Sequence, residues 1–249
     1  MTLVVHRAER SDALASALAE LLATPLGDVF AEEIIAVPAR GVERWLEQQL
    51  SHRLGRSDGR ADGICAGVRF PSPVGLINEV INGPDRFVDP WAPDALVWPL
   101  LEVIDGCAGE DWCRTLGRHL GVGGSPEELL RRSGRRYAVG RRLAGLFDAY
   151  ATNRPMMLVD WAAGRDTDGF GVGLAVDLRW QAELWRRVRK VIDGPDPVRR
   201  REEACDLLRL DPDVIALPER VSLFGPTRLP TSHLDVLSAL ALVTEHEDD

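Results

Sequence analysis

The chain has 249 residues, 45% of them hydrophobic, and a formal net charge of −9. That length can bury a substantial core in one large or two small domains. The longest apolar runs are too short to span a bilayer, and the N-terminus lacks the basic-then-apolar pattern of a secretory signal, so a cytoplasmic protein is expected.

In chain order, Leu3 to Arg7 reads as a strand running into a helix from Ser11 to Ala23. In a nucleotide-hydrolysing α/β domain this junction carries the phosphate loop G-x-x-x-x-G-K-[ST]. Arg7-Ala8-Glu9-Arg10-Ser11-Asp12-Ala13 has neither the glycine that lets backbone N–H groups approach phosphate nor the lysine. A second strand is predicted over Glu33 to Pro38, with a helix from Arg40 to Leu54. After a polar loop, the apolar segment Ile64 to Phe70 leads to a short helix over Val74 to Ile81. From Asp94 to about Leu210 the periodicity is helical, in seven segments: Asp94 to Ile104, Trp112 to Leu120, Pro126 to Arg131, Tyr137 to Ala151, Met156 to Ala163, Val176 to Ile192 and Val198 to Leu208. Ser125-Pro126-Glu127-Glu128 is a helix start, with serine as cap and proline first in the helix. A strand returns at Arg220 to Gly225, before a last helix from Ser232 to Leu240. Strand–helix pairs around a helical block imply an α/β fold: a parallel-sheet domain with a large all-helical insertion.

Net charge alone argues against nucleic acid, but the basic residues are clustered. Lys190 is the one lysine among 30 basic residues. Six arginines lie between Arg131 and Arg142, and two more clusters follow at Arg186-Arg187-Val188-Arg189-Lys190 and Arg199-Arg200-Arg201. Arginine suits phosphate and base edges; the plainer reading is solvated helix faces with paired charges. Cys65, Cys107, Cys113 and Cys205 lack metal spacing and read as reduced thiols. The five histidines show no metal pattern, and Cys65 has no evident neighbouring base, so a cysteine nucleophile is unsupported. Gly169-Phe170-Gly171-Val172-Gly173 lacks a preceding strand and reads as a flexible loop rather than a phosphate cradle. Trp45, Trp161, Trp180 and Trp185 could stack on bases, but their helical spacing favours core packing; Trp180 and Leu184 share one face.

Several segments together resemble one family, RecC, the gamma subunit of exodeoxyribonuclease V. They include Val37-Pro38-Ala39-Arg40-Gly41-Val42-Glu43-Arg44-Trp45-Leu46, Phe70-Pro71-Ser72-Pro73, Leu146-Phe147-Asp148-Ala149-Tyr150 with Asn153-Arg154-Pro155, and Trp180 to Trp185. Val221 to Gly225 with Leu229-Pro230 completes the series. The resemblance implies a helicase-like fold without a Walker A loop. Residues 1–92 and 212–249 would form that domain, degenerate and truncated at the C-terminus, and 93–211 the helical insertion. It implies a non-catalytic subunit that guides DNA strands during double-strand break repair. RecB-like helicase-nuclease and RecD-like helicase partners would hold the ATP and Mg, and single- and double-stranded DNA ends would be bound. Some members inspect one strand for the signal Chi. Leu146, Asp148 and Arg154 match that reading surface, and the stretch at Arg201 aligns with it. Arg40, Arg44, Ser72 and Asn78, with Pro38, stand where the family has residues of different character; arginine at 40 and 44 still suits a phosphate or guanine edge. The family would continue into another core strand where Leu242-Val243-Thr244 gives way to Glu245 to Asp249, which reads as a truncated product. Two other readings are a stand-alone α/β enzyme acting on a phosphorylated substrate and a helical protein-interaction scaffold.

Overall fold

The computed structural model describes residues 4–28, 30–57, 59–60, 62–82, 89–210, 220–226 and 228–243. The chain divides into two compact units, residues 1–85, 204–229 and 233–249, and residues 86–203 and 230–232.

The first unit is built on a parallel sheet of three short strands, β1 (Glu33–Ala36), β2 (Val68–Arg69) and β3 (Val221–Leu223), in the order β2-β1-β3. Ile34 pairs with Arg69 on one side and Val221 on the other. A central parallel strand is covered on both faces, which is why Ile34 to Val37 are all buried. Successive side chains point to opposite faces. Ile35 and Val37 therefore pack against Leu18 and Leu22 of α1 (Ser11–Leu22) and Leu46 and Leu50 of α2 (Arg40–Ser51). Ile34 and Ala36 pack on Leu76 of α3 (Pro73–Asn82). A third cluster joins Ile77 and Val80 of α3 to Cys205, Leu208, Val236 and Ala239.

The predicted opening strand does not form. Residues 4–8 are irregular, with Val4 and Val5 65% and 66% exposed; Leu3 lies outside the described residues. An apolar run becomes a strand only by pairing, and residues 4–8 pair with none of β1, β2 and β3. Arg7 to Asp12 is thus not a strand-to-helix junction. Arg10 precedes α1, and its guanidinium donates to both carboxylate oxygens of Asp12, at 3.0 and 2.7 Å.

The second unit is helical: α4 (Pro93–Cys107), α5 (Arg114–His119), α6 (Pro126–Ser133), α7 (Arg135–Asn153), α8 (Pro155–Ala162), α9 (Arg179–Val191) and the start of α10 (Pro197–Leu210). The helix expected from Trp112 is a 3-10 turn over Asp111–Cys113 followed by α5. α6 starts as predicted, with the Glu128 N–H donating to Ser125 Oγ at 3.2 Å. Trp185 sits at the centre of the core, its ring 5.0 Å from that of Trp91 and 5.2 Å from that of Phe147. Trp161 and Leu184 are buried beside it and Trp180 packs against the same cluster, so the tryptophan faces are core. At Gly140 a Cβ would meet Leu101 at 3.3 Å and Val97 at 3.4 Å, so glycine there lets α4 and α7 approach closely. The last helix, α11, spans Thr231–Val243. No helix is long and apolar enough to cross a membrane among the described residues.

Candidate nucleic-acid interface

Ion pairing decides which arginines are available to a ligand. Arg186 pairs with Asp166 and Glu183 at 2.9 Å, and Arg187 pairs with Glu183 and Glu110 at 2.9 Å. The Arg187 guanidinium also lies 4.6 Å from the Trp112 ring centroid, a cation–π contact. Arg189 meets Asp196 and Arg199 meets Glu203, both at 2.8 Å, and Arg200 is paired with Asp89. Arg186, Arg187, Arg189, Arg199 and Arg200 are therefore held in ion pairs, as the paired-charge reading expects. In the first cluster Arg132 and Arg136 are held by Glu128 and Asp105. Arg135, Arg141 and Arg142 have no ion pair among the described residues, and neither do Arg40, Arg44 and Arg154.

Three of the residues matched to the family's reading surface gather at the C-terminal end of α7. Pro155 disfavours helical backbone at Arg154 and starts α8, so α7 stops there with Arg154 at φ −140°, ψ 52°. The Arg154 N–H donates to Tyr150 O at 2.8 Å, and its side chain is exposed. Arg201 donates to Ala151 O at 3.1 Å, placing a cation at the negative end of the helix dipole. Asp148 lies on the exposed side of α7, where partial burial, with Asp89 adding to it, pushes its carboxyl above the usual range. Burial likewise raises the Tyr150 phenol, which Arg154 opposes; its hydroxyl donates to Gln181 Oε1 at 3.1 Å.

Leu146 does not join this group. Two residues on a helix are about 200° apart, so Leu146 and Asp148 face different sides of α7, and Leu146 packs against the core. The residue that does share the Asp148 face is Arg141, two turns earlier at i−7, a spacing visible in the sequence once α7 is known to be continuous.

The other four candidates lie in the first unit. Because its strands are parallel, the segments after β1, β2 and β3 leave from one edge, the edge at which open α/β sheets bind ligands. The Val37 N–H donates to Pro71 O and the Phe224 N–H to Ala36 O, both at 2.9 Å, tying the three segments together. Arg40 opens α2 there, and Arg44 follows one turn later on the same face, both exposed. Ser72 Oγ accepts from the Gly75 N–H at 3.0 Å, so its hydroxyl is used to start α3; Asn78 is exposed on that helix.

A cleft of about 690 Å³ lies in the second unit, lined in part by Trp112, Thr115, Asp177 and Trp180, and holds none of these candidates. A shallower cleft of about 440 Å³ includes Arg44, Gln48 and Cys65. Cys107 and Cys113 lie with their sulfurs 3.6 Å apart, and burial pushes the Cys113 thiol up to about 12. No cluster of three or more metal-ligating side chains occurs among the described residues.

The family model of the RecC N-terminal domain matches residues 3–245. The chain belongs to the RecC family. It is 49% identical over 247 residues to the RecBCD enzyme subunit RecC of Mycolicibacterium smegmatis, covering 99% of this chain and 21% of that protein. RecC of Mycobacterium tuberculosis strain H37Rv is 49% identical over 243 residues, covering 97% and 21%. RecC of Escherichia coli K12 is 29% identical over 254 residues, covering 95% and 20%. The chain thus spans about a fifth of the length of the RecC relatives it matches.

Proposed function

We propose that this chain is the strand-guiding N-terminal region of a RecC subunit, a non-catalytic part of an exodeoxyribonuclease V assembly that processes broken duplex ends for recombinational repair. The observation that carries the reading is the RecC match across residues 3–245. In this reading RecB-like and RecD-like partners supply ATP, magnesium, unwinding and cleavage, and the chain supplies surface. A three-stranded parallel sheet with helices on both faces suits a helicase-derived domain, and the sequence contains no G-x-x-x-x-G-K-[ST] loop. The arginines without ion pairs are the groups such a surface would present to phosphate. Inspection for Chi is the finer form of this reading. It requires Leu146, Asp148 and Arg154 to face one strand, and the separation of Leu146 from Asp148 around α7 favours guiding over reading.

The test is binding of a single-stranded oligonucleotide by the RecC subunit reconstituted with RecB-like and RecD-like partners, at two salt concentrations. Affinity should fall steeply with salt. Arg154→Ala should weaken binding by about tenfold, the lower range of a lost charged contact. The isolated chain should hydrolyse no ATP. Unchanged affinity in Arg154→Ala overturns that residue's role.

A further inference from the structure

Two buried thiols meet at the end of α4 and play no part in the strand-guiding reading. Cys107 is the last residue of α4, and Cys113 the last of the 3-10 turn that follows. The backbone between them already doubles back. The Glu110 N–H donates to Cys107 O at 2.9 Å, and the Cys113 N–H donates to Glu110 O at 3.0 Å. The two residues are 1% and 0% exposed, and their sulfurs lie 3.6 Å apart. A disulfide holds its sulfurs at about 2 Å. The loop that such a bond would close is thus closed by the backbone, and the sulfurs need only a short approach.

The surroundings give each sulfur a different role. Burial raises both thiols, Cys113 to about 12, which keeps the enclosed pair protonated and slow to react. At Cys107 burial is opposed by the hydrogen bond with Cys113 and by the Arg187 guanidinium, so the thiolate forms there first. At Cys113, burial is joined by the charge of Cys107 and the hydrogen bond with it. Those last two causes vanish once Cys107 is a neutral sulfenic acid, which frees Cys113 to react second. The connector between the cysteines is at the surface, with Gly109 and Asp111 exposed. It is held to α9 through Arg187, which pairs with Glu110 at 2.9 Å and lies over the Trp112 ring at 4.6 Å. Local opening of such a segment gives a small oxidant access to the sulfurs.

We propose that Cys107 and Cys113 are a reversible dithiol–disulfide site, oxidised by a hydroperoxide, whose disulfide pins the connector bearing Glu110 and Trp112 to the end of α4. The Cys107 thiolate attacks one peroxide oxygen and the O–O bond breaks. The other oxygen leaves as hydroxide or alkoxide and takes up the proton shed by Cys107. Cys113 Sγ then attacks the Cys107 sulfenic sulfur, the S–S bond forms, and the hydroxide leaves with the Cys113 proton as water. Two electrons pass from the dithiol to the hydroperoxide.

The test treats the folded chain with hydrogen peroxide sufficient to oxidise free glutathione, alkylates the remaining thiols, and cleaves after Glu110. The cysteines then fall on separate peptides. Mass spectrometry should find these joined, lighter by two hydrogens than their sum, and parted by dithiothreitol. The melting temperature should rise by about 5 °C on oxidation and return on reduction. In Cys113→Ser, dimedone should trap Cys107 as the sulfenic acid, with no such rise. Cys107 and Cys113 recovered as free thiols, or joined only after urea has unfolded the chain, overturn the site. A disulfide that leaves the melting temperature unchanged overturns the pinning. The test involves neither DNA nor partner subunits, so its failure leaves the strand-guiding reading intact.

Discussion

Asp89 and Arg200 are joined by two parallel hydrogen bonds of 2.8 Å across 111 residues of sequence. Each side chain is 24% exposed, so the pair is partly withdrawn from solvent; it is bidentate through the two terminal nitrogens of Arg200, while Nε is buried without a hydrogen bond among the described residues. Asp89 is also the carboxylate that acts on Asp148. Arg200→Ala should destabilise the protein by about 1–2 kcal/mol in urea unfolding. Arg200→Lys should recover less than half of that, because a point charge cannot make both bonds.

Glu183 and Asp148 should respond to pH with opposite signs. Burial acts to raise the Glu183 carboxyl, but hydrogen bonds from Arg187 and Arg186 outweigh it and hold it below its ordinary value of 4.5. Its contribution is present above that value and lost as pH falls through the folded-state value. Glu183→Gln should therefore cost about 1 kcal/mol at pH 7, shrinking toward zero in acid. Asp148 has a raised carboxyl, so the folded state favours its proton, and stability from that preference is lost as pH rises from 3.8 through the folded-state value. Asp148→Asn should raise the melting temperature at pH 7 by about 1 °C and give no gain at pH 3. Thermal melts of each variant at both pH values check the signs.

Gly169 and Gly171 share a left-handed backbone, at φ +87° and +91°, but differ in surroundings. A Cβ at 169 meets the backbone of Met156 and Met157, whereas at 171 nothing lies within 4 Å. Gly171→Ala should cost about 1 kcal/mol, the conformational penalty alone. Gly169→Ala should cost about 2–3 kcal/mol, because rigid backbone must also shift. Equal losses in denaturant unfolding would mean that the packing of the turn on α8 contributes nothing.

Arg40 and Arg44 lie one turn apart at the carboxyl edge of the sheet, with no ion pair among the described residues to break. Replacing both by alanine should leave the melting temperature unchanged and weaken single-stranded DNA binding. The slope of log affinity against log salt should fall in magnitude by about 1.4, or 0.7 per phosphate contact. Titrations at four salt concentrations measure it.

Much of this molecule follows from signals a few residues apart. The Ser125 cap, the Pro155 break and the Trp180–Leu184 spacing each depend on neighbours within about one helical turn, and the elements they predict form. The order of motifs from Val37 to Pro230 points to RecC from the sequence alone. The paired fate of two arginine clusters was legible only in part: Glu183 and Glu203 lie within about one helical turn of Arg187 and Arg199, whereas Glu110 and Asp89 lie 77 and 111 residues from Arg187 and Arg200. The failure of the opening strand was not legible, since Val4 and Val5 have ordinary strand character and only the assembled sheet decides whether a run is paired.

The chain's own residues thus settled its helices, its parallel-sheet class and its family, since local backbone preference and side-chain periodicity are written along the chain. Packing settled which of its charges are spent. It turned a glycine-rich stretch into a braced turn with Phe170 outward, and separated Leu146 from Asp148 although they are two residues apart. Such outcomes depend on which distant groups come within a few ångströms, a property of the fold and of no segment alone.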